Sequence, residues 1–278
     1  MKIVIYVDFM EIFLFNELSG SFKVKKINKM MQKWSKKHNT VTYGVSLIDL
    51  EIDKFFERLN TDDRLVVVGG DGTLHYFVNY INDIEVKNDI FYIPNGTGND
   101  FYKSIKKEIK YPVNKYLLNL PTVEFNDKKI CFLNGCGTGL DGYVCHLVNE
   151  SEKKGKLSFF KSTYKGFRKY KRTDITVTVD GVDYEFKKVF LASIMNGNVE
   201  GGGMKMTPKA LRLDEYIDIC IIHKLSKYSL IMCFPLIYLG WHTIKKKAVT
   251  ILRGKEISIK SSEGIYMQVD GEDFTDIK

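Results

Sequence analysis

The stretch VVVGGDGTLHYFVN, residues 66–79, decides the fold of the first half of the chain. Three valines lead directly into the glycine turn 69–73, and a helical spacing of apolar residues resumes at Leu74. Strand, glycine turn and helix in this order leave backbone N–H groups where an anion can bind, and glycine lets a phosphate approach without a Cβ in the way. The turn matches neither GxGxxG nor a Walker A motif. The stretch alone therefore leaves two interpretations open, a phosphate-binding loop and an ordinary tight turn.

A second glycine-rich segment, PNGTGNDF at 94–101, follows the next apolar stretch. Alternating strand and helix patterns over residues 1–120 predict an α/β layer with a largely parallel sheet, in which both loops lie at the carboxyl edge, the usual ligand site. Asp71 and Asp100 would offer carboxylate oxygens to Mg²⁺ there, although Asp100 would also suit a helix N-cap. The predicted strands are 2–9, 12–15, 41–45, 64–68 and 89–93, and the predicted helices are 21–37, 49–59 and 74–81.

Beyond Pro121 the pattern changes to short strands, and Asp180-Gly181 predicts a hairpin turn between two of them. The pattern predicts an antiparallel sandwich with helical inserts near 143–170 and 226–241. The predicted strands are 123–125, 130–134, 175–179, 184–192, 217–222, 248–252, 257–260 and 265–269. We therefore expect two domains, residues 1–122 and residues 123–278.

The composition of the 278 residues is that of a globular protein, with 44% hydrophobic and 27% charged residues. A net charge of +8 favours nucleic acid, acidic lipid or phosphorylated ligands. No recognised nucleic-acid module is present, so a nucleic-acid partner is not expected. Five cysteines without a CxxC pair, no pattern of a signal peptide, and an apolar run (228–241) too short for a bilayer predict a cytoplasmic protein.

Three segments in order carry a family resemblance: VVGGDGT at 67–73, PNGTGNDF at 94–101 and VDGE at 269–272. Together they resemble the diacylglycerol kinase catalytic-domain family, to which sphingosine and ceramide kinases are similar and NAD kinase is related. Shorter matches at 132–134, 139–141, 196–197, 201–204 and 208–210 extend the resemblance over residues 12–274. It implies a Rossmann-like (NAD kinase-like) α/β nucleotide-binding domain followed by a β-sandwich domain that carries the lipid substrate and the general base.

The resemblance also assigns roles to individual residues and implies ATP and Mg²⁺ as cofactors. Glu272 would be the general base, and Asp71 would belong to the catalytic magnesium network. The nucleotide-binding residues would be Asn16, Ser19, Gly20, Gly69, Gly70, Asp71, Gly72, Thr73, Gly96, Thr97 and Asn99. The metal-binding residues would be Asp71, Asp100 and Glu124, with Leu211, Asp214 and Tyr216 at a separate structural Mg²⁺.

The chain departs from the family pattern at several of these positions. Glu17 replaces a proline, Glu124 an aspartate and Glu215 a glycine, while His75 and Tyr76 replace an amide and a carboxylate. The family also has a C-terminal segment that returns to the α/β domain. We expect the strand at 2–9 to take that place in the sheet.

Residues 151–173 contain nine lysines and arginines, and Leu157, Phe160, Tyr164 and Phe167 recur at helical spacing. A basic amphipathic helix suits an anionic membrane surface, but an ordinary surface helix with its apolar stripe on the sandwich is equally compatible. Family members often pair, so the sequence leaves a homodimer open.

The leading functional hypothesis is a peripheral, ATP-dependent lipid kinase that converts diacylglycerol to phosphatidic acid. An NAD kinase-like enzyme is the second hypothesis. A degenerate domain that senses nucleotide or lipid is the third, and His75, Tyr76 and Glu215 motivate it.

Overall fold

The computed structural model describes residues 9–48, 50–151 and 156–277, without the side chains of 156–160. The chain divides into two compact units, Met1–Leu120 and Pro121–Lys278. The strand predicted at 2–9 lies outside the described residues except for Phe9, so its pairing stays a prediction.

The first unit is an α/β layer, with four parallel strands among its described residues. Its strands are β1 (Met10–Phe15), β2 (Val41–Ser46), β3 (Arg64–Gly69) and β4 (Ile90–Pro94), and its helices are α1 (Val24–His38), α2 (Ile52–Glu57), α3 (Asp71–Tyr80), α4 (Asp100–Ile105) and α5 (Asn114–Leu117). The sheet order is β2-β1-β3-β4, and every pair is parallel. The chain order reverses between β1 and β3, which places a topological switch point between the loops that follow these two strands.

The core of this unit explains why the strands read as continuous apolar runs. Residues 65–69 of β3 are buried, as expected for a parallel strand covered on both faces. Phe13 of β1, Val66 and Val68 pack with Ile27 of α1 in one cluster. This burial fixes β3 at the centre of the sheet and its glycine turn at the carboxyl edge.

The three predicted helices differ from their predicted bounds, and α1 covers 24–38 instead of 21–37. Helix α3 begins at Asp71 instead of Leu74, because extended Gly70 serves as the N-cap and the next residues already form the first turn. Helix α2 covers 52–57 instead of 49–59 and buries no side chain fully; Phe55 and Phe56 are half-buried. With so little buried apolar area, packing does not extend this helix further.

The second unit is an antiparallel β-sandwich, and its described residues also form three helices. Its strands are β5 (Thr122–Phe125), β6 (Lys128–Cys131), β7 (Gly135–Gly139), β8 (Thr173–Val179), β9 (Val182–Met195), β10 (Ile217–His223), β11 (Val249–Gly254), β12 (Ile257–Ser261), β13 (Ile265–Val269) and β14 (Glu272–Ile277). Its helices are α6 (Leu140–Asn149), α7 (Lys156–Lys169) and α8 (Lys227–Leu239), followed by a 3-10 turn, Trp241–Ile244. The main sheet runs β11-β10-β9-β7-β13-β14, while β8 pairs with β9 and β12.

The hairpin predicted at Asp180-Gly181 is confirmed. Both residues have positive φ, 47° and 82°, as a two-residue turn of type I′ requires. The turn joins β8 to β9 with Val179 opposite Val182.

Two strands were not predicted, β7 and β14. Strand β7 reads GCGTG, and glycine is depleted in strands. Its glycines are needed because neighbours approach closely: a Cβ on Gly137 would lie 1.8 Å from Asp141 Oδ2, and one on Gly135 would lie 2.7 Å from the Ile194 carbonyl oxygen. Strand β14 alternates charged and apolar residues too weakly to stand out in the sequence.

The stripe predicted for α7 is only partly right. Phe167 is buried and packs edge-on against Phe234 of α8, but Tyr164 points outward with 57% of its surface exposed. Ser162, Thr163 and Gly166 complete the inner face, and a Cβ on Gly166 would lie 2.7 Å from Val144 of α6. Leu157 and Phe160 are among the side chains outside the description. Among the described residues, no helix has the length and apolarity needed to cross a bilayer.

Candidate active site

The two glycine loops of the first unit touch backbone to backbone. A Cβ on Gly70 would lie 2.9 Å from Gly96 Cα, and one on Gly96 would lie 2.5 Å from Gly70 Cα. The main chain also links them, because Asn95 N–H donates to the Gly69 carbonyl at 2.7 Å. Side chains at Gly70 and Gly96 are therefore excluded by packing, and the two loops form one surface.

The Asp71 carboxylate joins this surface to helix α4. Its Oδ2 accepts the Asp100 N–H at 3.0 Å and its Oδ1 accepts the Phe101 N–H at 2.8 Å. A carboxylate at a helix N-terminus satisfies unpaired donors and is favoured by the helix dipole. Asp71 thus holds the start of α4 in place, a role that its position in the sequence does not show.

Asn99 and Asp100 hold the second loop. Asn99 adopts a left-handed conformation, φ 50°, and exchanges two hydrogen bonds with Gly96, from Gly96 N–H to Oδ1 at 2.9 Å and from Nδ2 to the Gly96 carbonyl at 2.8 Å. Asp100 is 4% exposed and accepts a bond from Lys103 Nζ at 2.8 Å. Thr97, which lies between Gly96 and Asn99, is exposed.

The loop after β1 is a turn organised by Asn16. Its Oδ1 accepts the Leu18 N–H at 2.8 Å and its carbonyl accepts the Ser19 N–H at 3.2 Å. Gly20 follows, and a Cβ there would meet nothing within 4 Å. The same is true of Gly72 in the first turn of α3.

Packing against the described residues does not require glycine at positions 20 and 72, whereas it does require glycine at neighbouring positions. Neither residue has a positive φ, and glycine in a helix costs about 1 kcal/mol relative to alanine. Gly69, in contrast, is needed because a Cβ there would lie 2.3 Å from the buried Thr73 side chain. The open space at these two glycines fits a ligand that approaches the backbone closely.

Lys26 is a site residue that the sequence did not reveal. Its Nζ donates to Asn95 Oδ1, and Asn95 Nδ2 donates to the Ser21 carbonyl at 3.4 Å. This places a cation of α1 between the Asn16 turn and the second glycine loop. Only the packing of α1 on the sheet shows it, because lysines are frequent throughout residues 23–37.

The two residues of α3 that depart from the family pattern contact residues one turn further along the same helix. His75 is buried, and its carbonyl accepts a bond from Asn79 Nδ2 at 3.0 Å. Tyr76 stacks on Tyr80, with 5.1 Å between ring centroids. Beside them, Tyr92 donates its hydroxyl to the Gly69 carbonyl at 2.9 Å, and burial, reinforced by the Asp71 carboxylate, raises the pKa of Tyr92.

The carboxylates at Asp71 and Asp100 fit a magnesium ion only if water and substrate phosphates supply its other ligands. Among the described residues, no group of three or more His, Cys, Asp or Glu side chains is assembled for a metal. Mg²⁺ is commonly held by one or two carboxylates, with water and substrate phosphates completing the octahedron. Asp71 and Asp100 match that pattern beside glycines that leave room for phosphate.

The DGE segment forms the second feature, a tight hairpin between β13 and β14. Asp270 and Gly271 have φ of 46° and 95°, and Val269 pairs with Glu272, as in a type I′ turn. The Asp270 carboxylate accepts backbone N–H groups from Leu133 at 2.6 Å, Asn134 at 2.8 Å and Gly135 at 3.2 Å. Asp270 is therefore an anchor, whereas the sequence suggested no role for it.

The rest of the turn is held from α6. Asn149 Nδ2 donates to the Gly271 carbonyl at 3.2 Å and to Asp273 Oδ1 at 2.7 Å, and His146 Nδ1 lies 2.7 Å from Asp273 Oδ2. Burial alone would raise the pKa of Asp273, but the bonds from Asn149 and His146 lower it. Glu272 is exposed on this fixed turn.

Arg212 and Asn196 support the segment 133–134 on which Asp270 is anchored. Arg212 donates to the Leu133 carbonyl and to Asn134 Oδ1, and Asn196 Nδ2 donates to the Leu133 carbonyl at 3.0 Å. Arg212 was not predicted, because its partners lie more than 70 residues away in the chain.

A series of hydrogen-bonded polar side chains connects the hairpin to Asp141 of α6. Gln268 Oε1 accepts the Gly271 N–H at 2.9 Å, and Gln268 Nε2 donates to Asp141 Oδ2 at 3.0 Å. Ser193 donates to the same oxygen at 3.1 Å, and burial raises the pKa of Asp141. Asp141 thus supports the hairpin from the Gly139-Leu140-Asp141 step that the sequence singled out.

The four other predicted metal ligands lie in the second unit. Glu124, on β5, is mostly exposed and pairs with Lys129 at 3.3 Å; its role in binding Mg²⁺ stays a prediction. In the loop 211–216, Leu211 and Tyr216 are exposed, and the Asp214 carboxylate forms an ion pair with Arg253. The Arg253 guanidinium and a metal ion would compete for this carboxylate, and the role of the loop in binding a structural Mg²⁺ stays a prediction.

Sequence comparisons identify both units. A family model described as the diacylglycerol kinase catalytic domain matches residues 11–121, and one described as the YegS C-terminal NAD kinase beta sandwich-like domain matches residues 135–277. Together they span most of the chain. It therefore belongs to the diacylglycerol kinase catalytic-domain family of lipid kinases, as the motifs indicated.

Individual relatives agree with this assignment. A protein of Bacillus subtilis (strain 168) named "Putative lipid kinase YtlR" is 30% identical over 233 residues, covering 75% of this chain and 74% of the relative. A diacylglycerol kinase of Staphylococcus carnosus (strain TM300) is 26% identical over 219 residues, covering 76% and 70%. A crystal structure of a diacylglycerol kinase from Bacillus anthracis str. Sterne has a TM-score of 0.64 at 17% identity, covering 96% of this chain and 90% of that chain. This last likeness confirms the predicted fold class.

Proposed function

We propose that the protein is an ATP-dependent kinase that phosphorylates a hydroxyl group of a membrane lipid, with diacylglycerol as the expected acceptor and phosphatidic acid as the product. The observation that carries the proposal is the pair of touching glycine loops fixed by Asp71, in a chain that also holds Glu272 on a rigid hairpin. Because the chain belongs to a family of lipid kinases, we expect the molecule that accepts the phosphate to be a lipid.

The first unit would bind the nucleotide. Backbone N–H groups at the start of α3 suit phosphate oxygens, and Gly20 and Gly72 leave the space for them. Lys26 adds a positive charge next to Asn95. Residues 16, 19, 20, 69–73, 96, 97 and 99 remain the proposed nucleotide-binding set, in which Gly69, Gly70, Thr73, Gly96 and Asn99 shape the loops by packing.

The second unit would supply the general base. Glu272 would accept the proton of the acceptor hydroxyl while the hydroxyl oxygen attacks the γ-phosphorus of ATP. The Glu272 carboxylate would then be protonated. A base must be held in place to act, and the bonds to Asp270, Gly271 and Asp273 fix the turn that carries it. Magnesium, when bound through Asp71 and Asp100, would neutralise charge on the β and γ phosphates.

The proposed partner of the protein is an anionic membrane that contains its lipid substrate. The exposed side of α7 carries Lys161, Lys165, Arg168 and Lys169, which suit acidic headgroups. The structure's placement of Phe167 in the core shows that this helix also serves as an ordinary packed helix.

A transfer assay tests the proposal. The purified chain is incubated with γ-labelled ATP and Mg²⁺ in the presence of diacylglycerol, phosphatidylglycerol, a sphingoid base, a polyprenol or NAD. We expect label on diacylglycerol and none in the absence of Mg²⁺. Label on another lipid would correct the acceptor, label on NAD would favour the NAD kinase-like enzyme, and nucleotide binding without any transfer would favour a sensor.

Substitution of two glycines by alanine separates packing from ligand binding. Gly72→Ala should keep or raise the unfolding free energy by up to about 1 kcal/mol, because the new Cβ meets open space and alanine favours helix. It should weaken ATP binding about tenfold or more, because the methyl group enters the proposed phosphate space. Thermal unfolding and calorimetric titration with ATP measure the two effects.

The matched variant is Gly96→Ala in the adjoining loop. Its Cβ would lie 2.5 Å from Gly70 Cα, so it should destabilise the first unit by about 1–3 kcal/mol. Undiminished ATP affinity in Gly72→Ala would show that phosphate does not approach there.

A further inference from the structure

Helix α8 exposes an apolar face to solvent. Tyr228, Met232 and Leu239 are 83%, 76% and 53% exposed, and Pro235 lies between the last two at helical spacing. We call these four residues the α8 ridge. The opposite side of the helix, Leu230, Cys233 and Ile237, is buried in the core of the second unit, so α8 is apolar on both faces.

The ridge continues beyond the helix. After Gly240 the 3-10 turn exposes Trp241 at 57% and Ile244 at 74%. Apolar surface in water is unfavourable by roughly 25 cal/mol per Å², and contiguous exposed patches of this kind mark interaction sites. The burial of the inner face already accounts for the folding of α8, so the outer face calls for a different explanation.

The sequence that contains the ridge carries only positive charges. Residues 219–255 contain no aspartate or glutamate, and Lys245, Lys246 and Lys247 are exposed directly after Ile244. Helix α7, which contacts α8 through Phe167 and Phe234, has no acidic residue either and exposes Tyr164 among lysines.

A basic pocket lies at the N-terminal end of the ridge. It has a volume of about 580 Å³ and is open to solvent. Four cationic residues and no carboxylate line it, together with the first residue of the ridge: Arg172, Lys188, Lys224, Leu225, Ser226, Lys227 and Tyr228. Such a pocket suits a phosphate group, and its position beside Tyr228 suits a phosphate attached to an apolar chain.

We infer that the α8 ridge inserts into the surface of an anionic membrane while the basic pocket binds a phospholipid headgroup. The inference rests on the proposed function for its biological setting and names the element that makes the membrane contact. An apolar strip bordered by cations complements a bilayer interface, where apolar side chains enter the acyl boundary and lysines meet phosphates. A second copy of the chain is a poorer occupant, because a symmetric pair would bring the same positive charges together.

Co-sedimentation of the full chain with vesicles tests the inference. The vesicles are phosphatidylcholine with or without phosphatidylglycerol. The double variant Met232→Glu and Leu239→Glu should lose at least about tenfold in vesicle binding, because two inserted side chains are lost and charges enter the interface. Lys188→Gln with Lys224→Gln should remove the preference for phosphatidylglycerol. The control Val182→Glu, at another exposed apolar position (54%) of the same unit, should bind like the original chain.

Three experimental results would contradict the inference. Unchanged vesicle binding by the ridge variant would overturn it, as would an equal loss in Val182→Glu. A ridge variant that binds vesicles normally but elutes as a smaller species in size-exclusion chromatography would show that the ridge is instead an interface between copies of the chain.

The assay with a water-soluble short-chain diacylglycerol separates this inference from the proposed kinase activity. The ridge variant should phosphorylate that acceptor at the original rate, since α8 is outside the proposed catalytic residues. Ridge-dependent vesicle binding without any phosphate transfer would sink the proposed function and leave the membrane contact standing. Phosphate transfer combined with vesicle binding that does not depend on the ridge would support the proposed function and contradict the membrane contact.

Discussion

Glu272→Gln should lower the rate of phosphate transfer to lipid by about 10²–10⁴-fold and leave the unfolding temperature unchanged. Glutamine has the shape of glutamate but cannot accept the hydroxyl proton. The side chain is exposed, and the turn that carries it is held by Asp270, Gly271 and Asp273. The loss should therefore be one of catalysis, measured as label transfer from γ-labelled ATP at saturating lipid, with ATP affinity preserved.

The matched control is Asp276→Asn, which removes a carboxylate from an exposed position of the same strand, β14. Asparagine tolerates the positive φ of 57° at that position, so this variant should keep full activity. If Glu272→Gln retained the activity of the control, the base would have to be another residue and the assignment from the DGE motif would be wrong.

Asp71→Asn should combine a loss of stability with a loss of activity. One of its two carboxylate oxygens becomes an N–H₂ donor that faces the backbone N–H of Asp100 or Phe101, which should cost about 1–3 kcal/mol of unfolding free energy. Phosphate transfer should fall by about 10²-fold or more, because a carboxylate that would hold Mg²⁺ is lost. Thermal unfolding without nucleotide measures the first effect, and transfer rates at increasing Mg²⁺ concentration measure the second.

The dependence on Mg²⁺ separates the two roles of Asp71. If the carboxylate binds the ion, the variant should need a higher Mg²⁺ concentration for half-maximal rate, while Asp62→Asn on an exposed loop should behave like the original chain. A reduced unfolding temperature with an unchanged Mg²⁺ requirement would confine Asp71 to the support of helix α4.

The fold of the first unit could be predicted because its determinants are local. A strand covered on both faces is a continuous apolar run, and its end is marked by glycine, so β3 and its loop are visible in VVVGGDGT. The predicted start of α3 was three residues too late. Glycine and aspartate are typical of loops, and the sequence shows neither the helix dipole nor the close neighbour that favour these residues in the first turn of the helix.

Strand β7 could not be predicted for the opposite reason. GCGTG has low intrinsic preference for a strand, and its conformation depends on neighbours that are distant in sequence. Gly137 leaves room for Asp141, and β7 pairs with both β9 and β13.

The residues of the candidate site could be named from motifs, but their mechanical roles could not. Asp270 contacts backbone groups of 133–135, about 136 residues away, and Asp71 caps a helix that starts 29 residues later. Lys26 and Arg212 carry no motif at all. Only the folded chain shows that such residues hold the loops on which the motifs lie.

The loop 211–216 has one consequence for how the protein responds to its surroundings. In this loop the chain provides a cation from its own covalent structure, the Arg253 guanidinium on Asp214. Such a cation cannot be removed by a chelator or lost when magnesium is scarce. The pair is partly exposed, however, so dissolved salt screens it, and the order of this loop should follow ionic strength.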